Sequence, residues 1–158
     1  MNETALPESP YRRILFCTDF SPNADAAFPY ALDAVRRRPG CTLHLLHVIP
    51  EPDAQFWKTY IYEVDKVDAK ARADIDAKIA EAYTSRLPAG VNVEVSVRIG
   101  REYVAILQFA REKNVDLIVL GRHGHTAFSD WLFGGVTEKV TRKADCPVLI
   151  VPPPDEEG

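Results

Sequence analysis

The residues best suited to chemistry lie between Gly121 and Thr137. Gly121 and Gly124 follow an apolar run, and after nine intervening residues Gly134 and Gly135 open a short helical pattern. A glycine after a buried strand lets the main chain approach a ligand closely, and the free N–H groups that begin a helix bind anions. The spacing predicts a phosphate cradle made mostly of main chain. The alternative is that these glycines only form turns, and the glycines alone do not separate the two interpretations.

Asp19 is the second candidate for ligand binding. It follows the apolar run Ile14–Cys17, and the next residues are Phe20, Ser21 and Pro22. A carboxylate at a strand end often caps the following helix, but serine before proline already has the pattern of a helix start. Asp19 is therefore predicted to contact a ligand, as residues on loops held by a rigid scaffold often do.

The histidines do not form a strong metal-binding pattern. His44 and His47 are three residues apart on a predicted strand, so their side chains point to opposite faces of the sheet. His123 and His125 are close enough to share a site, but a loop His-x-His without nearby carboxylates is weak evidence for a metal. Structural or ligand-contacting roles are favoured for them.

The familiar catalytic signatures are absent from the sequence. There is no Walker-type phosphate loop, no GxGxxG after the first strand and no GxSxG turn. The three cysteines lack CxxC spacing, and Cys17 and Cys146 lie in or beside apolar runs, which favours small buried side chains. No catalytic residue and no metal ligand is assigned.

Composition and charge limit which partners the protein is expected to bind and which cell compartment it is expected to occupy. The chain has 158 residues, a net charge of -4 and a pI near 5.6, which argues against nucleic acid or an anionic membrane as the main partner. No apolar run approaches the roughly 20 residues that span a bilayer. The polar N-terminus has no signal-peptide pattern, so we expect a cytoplasmic protein.

Strand and helix patterns alternate along the chain. Five apolar runs predict strands, and four helical patterns separate them: the strands are Ile14–Cys17, Leu43–Ile49, Val91–Val97, Leu117–Leu120 and Val148–Val151. This alternation predicts an α/β fold, a parallel sheet with helices on both faces. Val91–Val97 alternates with polar residues, which indicates an edge strand. One domain is expected over residues 11–152, with flexible ends at 1–10 and 153–158.

Three segments together resemble the universal stress protein family. The segment Gly121–Thr137 reads G-x2-G-x9-G-G-V-T and is similar to the family's nucleotide-binding signature. Cys17–Ser21 resembles its opening strand and turn, and Cys146–Val151 its closing strand. The resemblance runs from about Arg12 to Val151, in order and with matching spacings.

The resemblance implies a three-layer, Rossmann-like sheet of the adenine nucleotide alpha hydrolase-like type, with strand order 3-2-1-4-5. It also implies an ATP site, with or without Mg²⁺, at the strand ends. Asp19 would contact the ribose or the adenine edge, and Val48 would contact the adenine through its main chain. The full implied set of nucleotide-binding residues is Thr18, Asp19, Val48, Gly121, His123, Gly124, Gly134, Gly135, Val136 and Thr137.

Gly135 departs from the family pattern. ATP-binding members carry serine or threonine there, and losing a hydrogen bond to a charged group weakens binding by roughly one to two decades. Three hypotheses therefore stay open: an ATP-binding stress protein that acts through partner contacts, a dimeric interaction protein with a vestigial pocket, and a slow ATP hydrolase. No general base or arginine finger is apparent for fast phosphoryl transfer.

A homodimer is also expected from the sequence. Val148–Val151 is apolar on both faces and carries no charge. An open apolar edge of this kind promotes pairing with another chain. The resemblance points the same way, since family members commonly dimerise through this strand. We therefore expect antiparallel pairing of two copies across a two-fold axis.

Overall fold

The fold is built on one parallel sheet of five strands. The computed structural model describes residues 8–50, 69–122 and 135–153. The strands are β1 (Arg13–Thr18), β2 (Thr42–Pro50), β3 (Asn92–Gly100), β4 (Leu117–Gly121) and β5 (Val148–Val151). Their order is β3-β2-β1-β4-β5 and all four pairings are parallel, so the predicted α/β fold and strand order are confirmed.

Helices cover both faces of the sheet. The described helices are α1 (Pro22–Arg36), α2 (residues 69–82), α3 (Glu102–Glu112) and α4 (Val136–Lys143). Side chains of α1 and of the end of α2 share a core with Ile14 and Phe16 of β1. Side chains of α3 and α4 share the opposite core with Leu15. Alternate residues of the central strand β1 therefore pack into two different cores, which explains why β1 is a continuous apolar run.

The two predicted edge strands lie at the edges. Among the described strands, β3 pairs with β2 alone and β5 with β4 alone, whereas β2 and β4 lie inside the sheet. No residue of β3 is fully buried. The alternation of valine with polar residues in β3 thus reports a strand with one half-buried face.

Ser21 caps the N-terminus of α1, as the sequence predicts. Ser21 has extended backbone geometry, and its Oγ accepts a hydrogen bond from the N–H of Ala24 at 3.2 Å. Pro22 occupies the first helical position, where its missing N–H costs nothing. This cap fixes where α1 starts relative to the end of β1.

Residues 8–10 form neither helix nor strand, and the rest of the predicted flexible ends lies outside the described ranges, apart from residue 153. Within the described part of the chain, no helix is both long and apolar enough to cross a membrane.

Candidate functional site

A cleft opens where the strand order reverses. The chain leaves β1 toward β2 on one side and reaches β4 on the other, and ligands of parallel sheets bind at such a point. The cleft measures about 420 Å³, counting solvent at its open mouth. It lies at the carboxyl ends of β1, β2 and β4, beside the N-termini of α1, α3 and α4. Its lining residues are Cys17, Thr18, Asp19, Ser21, Asn23, Ala24, Leu46, Val48, Glu102, Ile106, Leu120, Gly121 and Val136.

The cleft combines an apolar interior with a polar rim. Leu46, Val48, Ile106 and Leu120 belong to the core beneath it and are buried. Asp19, Ser21, Asn23 and Glu102 supply the polar groups of its lining. Apolar walls with a few convergent polar groups are typical of small-molecule sites.

Asp19 lies on the turn between β1 and α1. Its Oδ1 accepts a hydrogen bond from the N–H of Ser21 at 3.0 Å, and the residue is exposed at the cleft. Because the Ser21 hydroxyl caps α1, the predicted division of roles between these two residues is confirmed as far as the cap is concerned. Contact between Asp19 and a ligand stays a prediction.

The hydroxyl of Thr18 forms its hydrogen bonds on the face of the sheet that α1 and α2 cover, away from the cleft. Its Oγ1 lies 2.5 Å from the Tyr83 Oη and accepts from the N–H of Phe20 at 2.9 Å. Tyr83 belongs to the core of α1 and α2, whereas the cleft lies over the other core. Thr18 therefore borders the cleft with its other atoms, and its hydroxyl supports the turn.

Gly121 has a packing reason to be glycine. A Cβ built on it would overlap the carbonyl of Asn23 and lie 3.0 Å from the N of Ala24. The absence of a side chain lets the first turn of α1 approach the end of β4. This approach brings Asn23 to the cleft, so the glycine shapes the site through the packing of α1.

The N-terminus of α4 closes one side of the site. Gly135 is the N-cap residue, with φ of -63° and no side-chain cap, and Val136 lines the cleft. The Oγ1 of Thr137 is buried and has no hydrogen-bond partner among the described residues. A buried hydroxyl without a partner is costly, and this one lies in the first turn of α4, next to Val136 of the cleft, although Thr137 is not itself a lining residue. The other predicted site residues, His123, Gly124 and Gly134, lie outside the described residues.

Glu102 is a cleft residue that the sequence analysis missed. It stands in the first turn of α3, and its carboxylate is close enough to raise the pKa of the Cys17 thiol. Burial is the larger cause of that raised pKa. Cys17 thus stays a neutral thiol in the lining, but it and Cys146 are half-buried rather than fully buried as predicted. The only available signal for Glu102 was its position just after the end of a predicted strand.

The two strand histidines point to opposite faces, as predicted. His44 is buried, and its ring meets Phe109 of α3 edge-on with centroids 5.7 Å apart. The Nδ1 of His47 lies 2.8 Å from the carbonyl oxygen of Thr18 on the other face. Within the described ranges, no group of three or more His, Cys, Asp or Glu is placed to hold a metal ion.

The sheet order and the strand-end cleft place the chain among Rossmann-like α/β proteins. Residues 10–152 match the model of the universal stress protein family, and the chain belongs to that family. Universal stress protein MJ0577 of Methanocaldococcus jannaschii is 27% identical over 154 residues, which cover 89% of this chain and 94% of the relative.

Solved structures share the fold. The structure of MJ0577 has a TM-score of 0.74 at 27% identity and covers 92% of this chain and 99% of its own. A universal stress protein in complex with cAMP has a TM-score of 0.67 at 24% identity, and the match covers 90% of this chain and 98% of that protein. A family member from Arabidopsis thaliana with AMP bound has a TM-score of 0.57 at 19% identity, and the match covers 92% of this chain and 94% of that protein.

Proposed function

We propose that the chain binds an adenine nucleotide, ATP, in the cleft at the ends of β1, β2 and β4. The observation that carries the proposal is the N-terminus of α4, where Val136 lines the cleft and the adjacent Thr137 Oγ1 is buried without a described partner. A helix N-terminus binds phosphate through its free N–H groups and its dipole. Here that terminus stands beside a cleft with apolar walls and a polar rim, the chemistry of a small-molecule site.

The proposed pose places the base over the apolar lining and the phosphates at α4. Val48 and Leu46 lie deep in the cleft, and Asp19 stands on its rim to accept hydrogen bonds from the base or the ribose. Gly135, Val136 and Thr137 face the phosphates. The resemblance adds His123, Gly124 and Gly134 to this set, together with Mg²⁺ as a companion of the phosphates.

Two structures of the same fold hold adenine nucleotides, cAMP in one and AMP in the other. They support the proposal at the level of the fold, because their sequences are less than 25% identical to this one. We place the protein in the cytoplasm, where it acts through nucleotide-dependent contacts with protein partners. No catalytic residue is assigned, and slow hydrolysis of ATP is the most that we expect.

A homodimer through β5 is the second part of the proposal. Leu149 of this edge strand is 39% exposed, a large value for a leucine in a strand. Val148 and Ile150 are half-buried against the core of α3 and α4. Pairing β5 with its copy would satisfy the open main-chain groups of the edge and cover Leu149.

Calorimetry with Mg·ATP tests the nucleotide site directly. We expect a Kd from micromolar to tens of micromolar, because Gly135 lacks the hydroxyl of other members. Native mass spectrometry of freshly purified protein should also show a fixed mass increment from nucleotide that co-purifies. No heat and no competition at millimolar ATP would favour the dimeric interaction protein with a vestigial pocket.

A further inference from the structure

The turn that carries Asp19 is held by a chain of hydrogen bonds outside the cleft. The N–H of Phe20 donates to the Thr18 Oγ1 at 2.9 Å, and the Thr18 Oγ1 lies 2.5 Å from the Tyr83 Oη. The Tyr83 hydroxyl donates to the Asp25 Oδ1 at 2.7 Å. Since Tyr83 has one proton and gives it to Asp25, the Thr18 hydroxyl must donate to Tyr83.

Every member of this chain thus donates to the next, and the last acceptor is a carboxylate. Hydrogen bonds in such a series polarise one another, and a charged acceptor strengthens them further. Tyr83 is fully buried and lies 65 residues from Thr18 in the sequence. It therefore ties the end of α2 to the turn after β1.

Phe20 needs this support because of its main-chain conformation. Its φ is 65°, in the left-handed region that non-glycine residues rarely adopt. Its ring stacks on Tyr83 with centroids 6.4 Å apart and contacts the His47 ring at 4.6 Å. His47 also donates from Nδ1 to the Thr18 carbonyl at 2.8 Å. Main-chain strain of this kind persists only where the surroundings over-determine it.

The strained turn decides where Asp19 points. Asp19 lies between Thr18 and Phe20, both of which are fixed from the α1 and α2 face of the sheet. Asp19 is a lining residue of the cleft, and its Oδ1 accepts from the N–H of Ser21. The contacts on one face of the sheet therefore set the geometry of a group on the other.

We propose that Tyr83 is a positioning residue for the nucleotide: its hydroxyl locks the Thr18–Ser21 turn so that Asp19 meets the base and ribose without reorganisation. The inference rests on the proposed nucleotide site and deepens it. A contact held in place before binding adds affinity because less ordering accompanies association. Tyr83 itself touches no ligand, and Asp19 acts on the base and ribose alone.

The binding test compares ligands with and without phosphates. Adenosine, AMP and Mg·ATP are titrated calorimetrically into wild type, Tyr83→Phe and the matched control Tyr30→Phe, whose tyrosine is 55% exposed on α1. Tyr83→Phe should lower the affinity for the ligand about three- to tenfold, because that factor corresponds to the net free energy of one hydrogen bond. The loss should be the same factor for all three ligands and absent from Tyr30→Phe.

A double-mutant cycle separates positioning from a general weakening of the fold. In an Asp19→Ala background, Tyr83→Phe should cost little further affinity, because the side chain that Tyr83 is proposed to position is already gone. An unchanged affinity in Tyr83→Phe, or a loss of equal size in both backgrounds, would overturn the proposal. Thr18→Val breaks the same chain at another point and serves if Tyr83→Phe does not fold.

Amide hydrogen exchange tests whether Tyr83 holds the Thr18–Ser21 turn even if the wild type binds no nucleotide. In that case the proposed function has failed, but the turn can still be examined in the ligand-free protein. Exchange at the N–H groups of Phe20 and Ser21 should be faster in Tyr83→Phe than in wild type and Tyr30→Phe. Equal exchange in all three proteins would show that Tyr83 does not hold the turn.

Discussion

The main-chain carbonyl of Asn23 occupies the space that a Cβ on Gly121 would need. The first turn of α1 and the end of β4 thus meet without an intervening side chain. We expect Gly121→Ala to destabilise the fold by about 1–3 kcal/mol, because main chain cannot give way as a flexible side chain does. Urea unfolding measures the change.

Gly135→Ser is the matched control for that substitution. A Cβ at Gly135 meets no atom of the described residues within 4 Å, and the φ of -63° at this position suits any residue. Serine is also a slightly better N-cap than glycine, so stability should rise by a few tenths of a kcal/mol. If Gly121→Ala were as stable as Gly135→Ser, the close approach of α1 would not be a constraint.

Gly135→Ser should also tighten Mg·ATP. The added hydroxyl stands at the N-terminus of α4, where the proposed phosphates bind, and a hydrogen bond to a charged group is worth about one to two decades in Kd. Thr137→Ala should weaken ATP for the corresponding reason. Adenosine binding should be unchanged in both variants, because it carries no phosphate. Calorimetry with both ligands checks this, and an equal shift for adenosine would contradict the proposed pose.

Stability should fall as the pH rises above about 8.5. Burial raises the pKa of the Cys17, Cys41 and Cys146 thiols in the folded protein, and burial raises that of the Tyr83 hydroxyl too. The unfolded chain ionises its thiols from about pH 8.5 and its tyrosines from about pH 10. The folded state keeps these protons longer, so the stability present at neutral pH is lost with rising pH.

Urea unfolding at pH 7, 9 and 10 measures this slope. Cys17→Ala should make the slope shallower, since Cys17 is among the groups whose pKa is raised most. The same raised pKa keeps the thiol protonated at pH 8, so iodoacetamide should modify Cys17 slowly in the folded protein and quickly in urea. Rapid modification of folded Cys17 would show that its thiolate is accessible.

The β5 edge should carry the dimer. Leu149→Lys places a charge on the exposed face of this strand and should reduce the mass in light scattering to that of a monomer, about 17.7 kDa. Ile99→Lys is the matched control, because Ile99 is 36% exposed on β3 at the opposite edge. A dimer lost in Ile99→Lys and kept in Leu149→Lys would move the interface to β3.

The sequence by itself determined the elements and their succession along the chain, and the family resemblance implied the order of the strands in the sheet. Strict alternation identified β3 as an edge strand, continuous apolar runs identified the inner strands, and Ser21 before Pro22 marked the start of α1. Strand period and cap chemistry are local properties, so a single sequence carries them. The separation of His44 and His47 onto two faces followed from the same period.

The tertiary structure decided which residues meet. Glu102 and Asn23 come to the cleft on different helices, and the Tyr83 hydroxyl reaches Thr18 across 65 residues. No spacing in the sequence marks these pairs, because contacts between distant elements depend on how the helices pack across the sheet. For the same reason no pattern in the sequence indicated that Gly121, which lines the cleft, also packs directly against the main chain of α1. Local pattern sets each element, and only packing brings their ends together into a site.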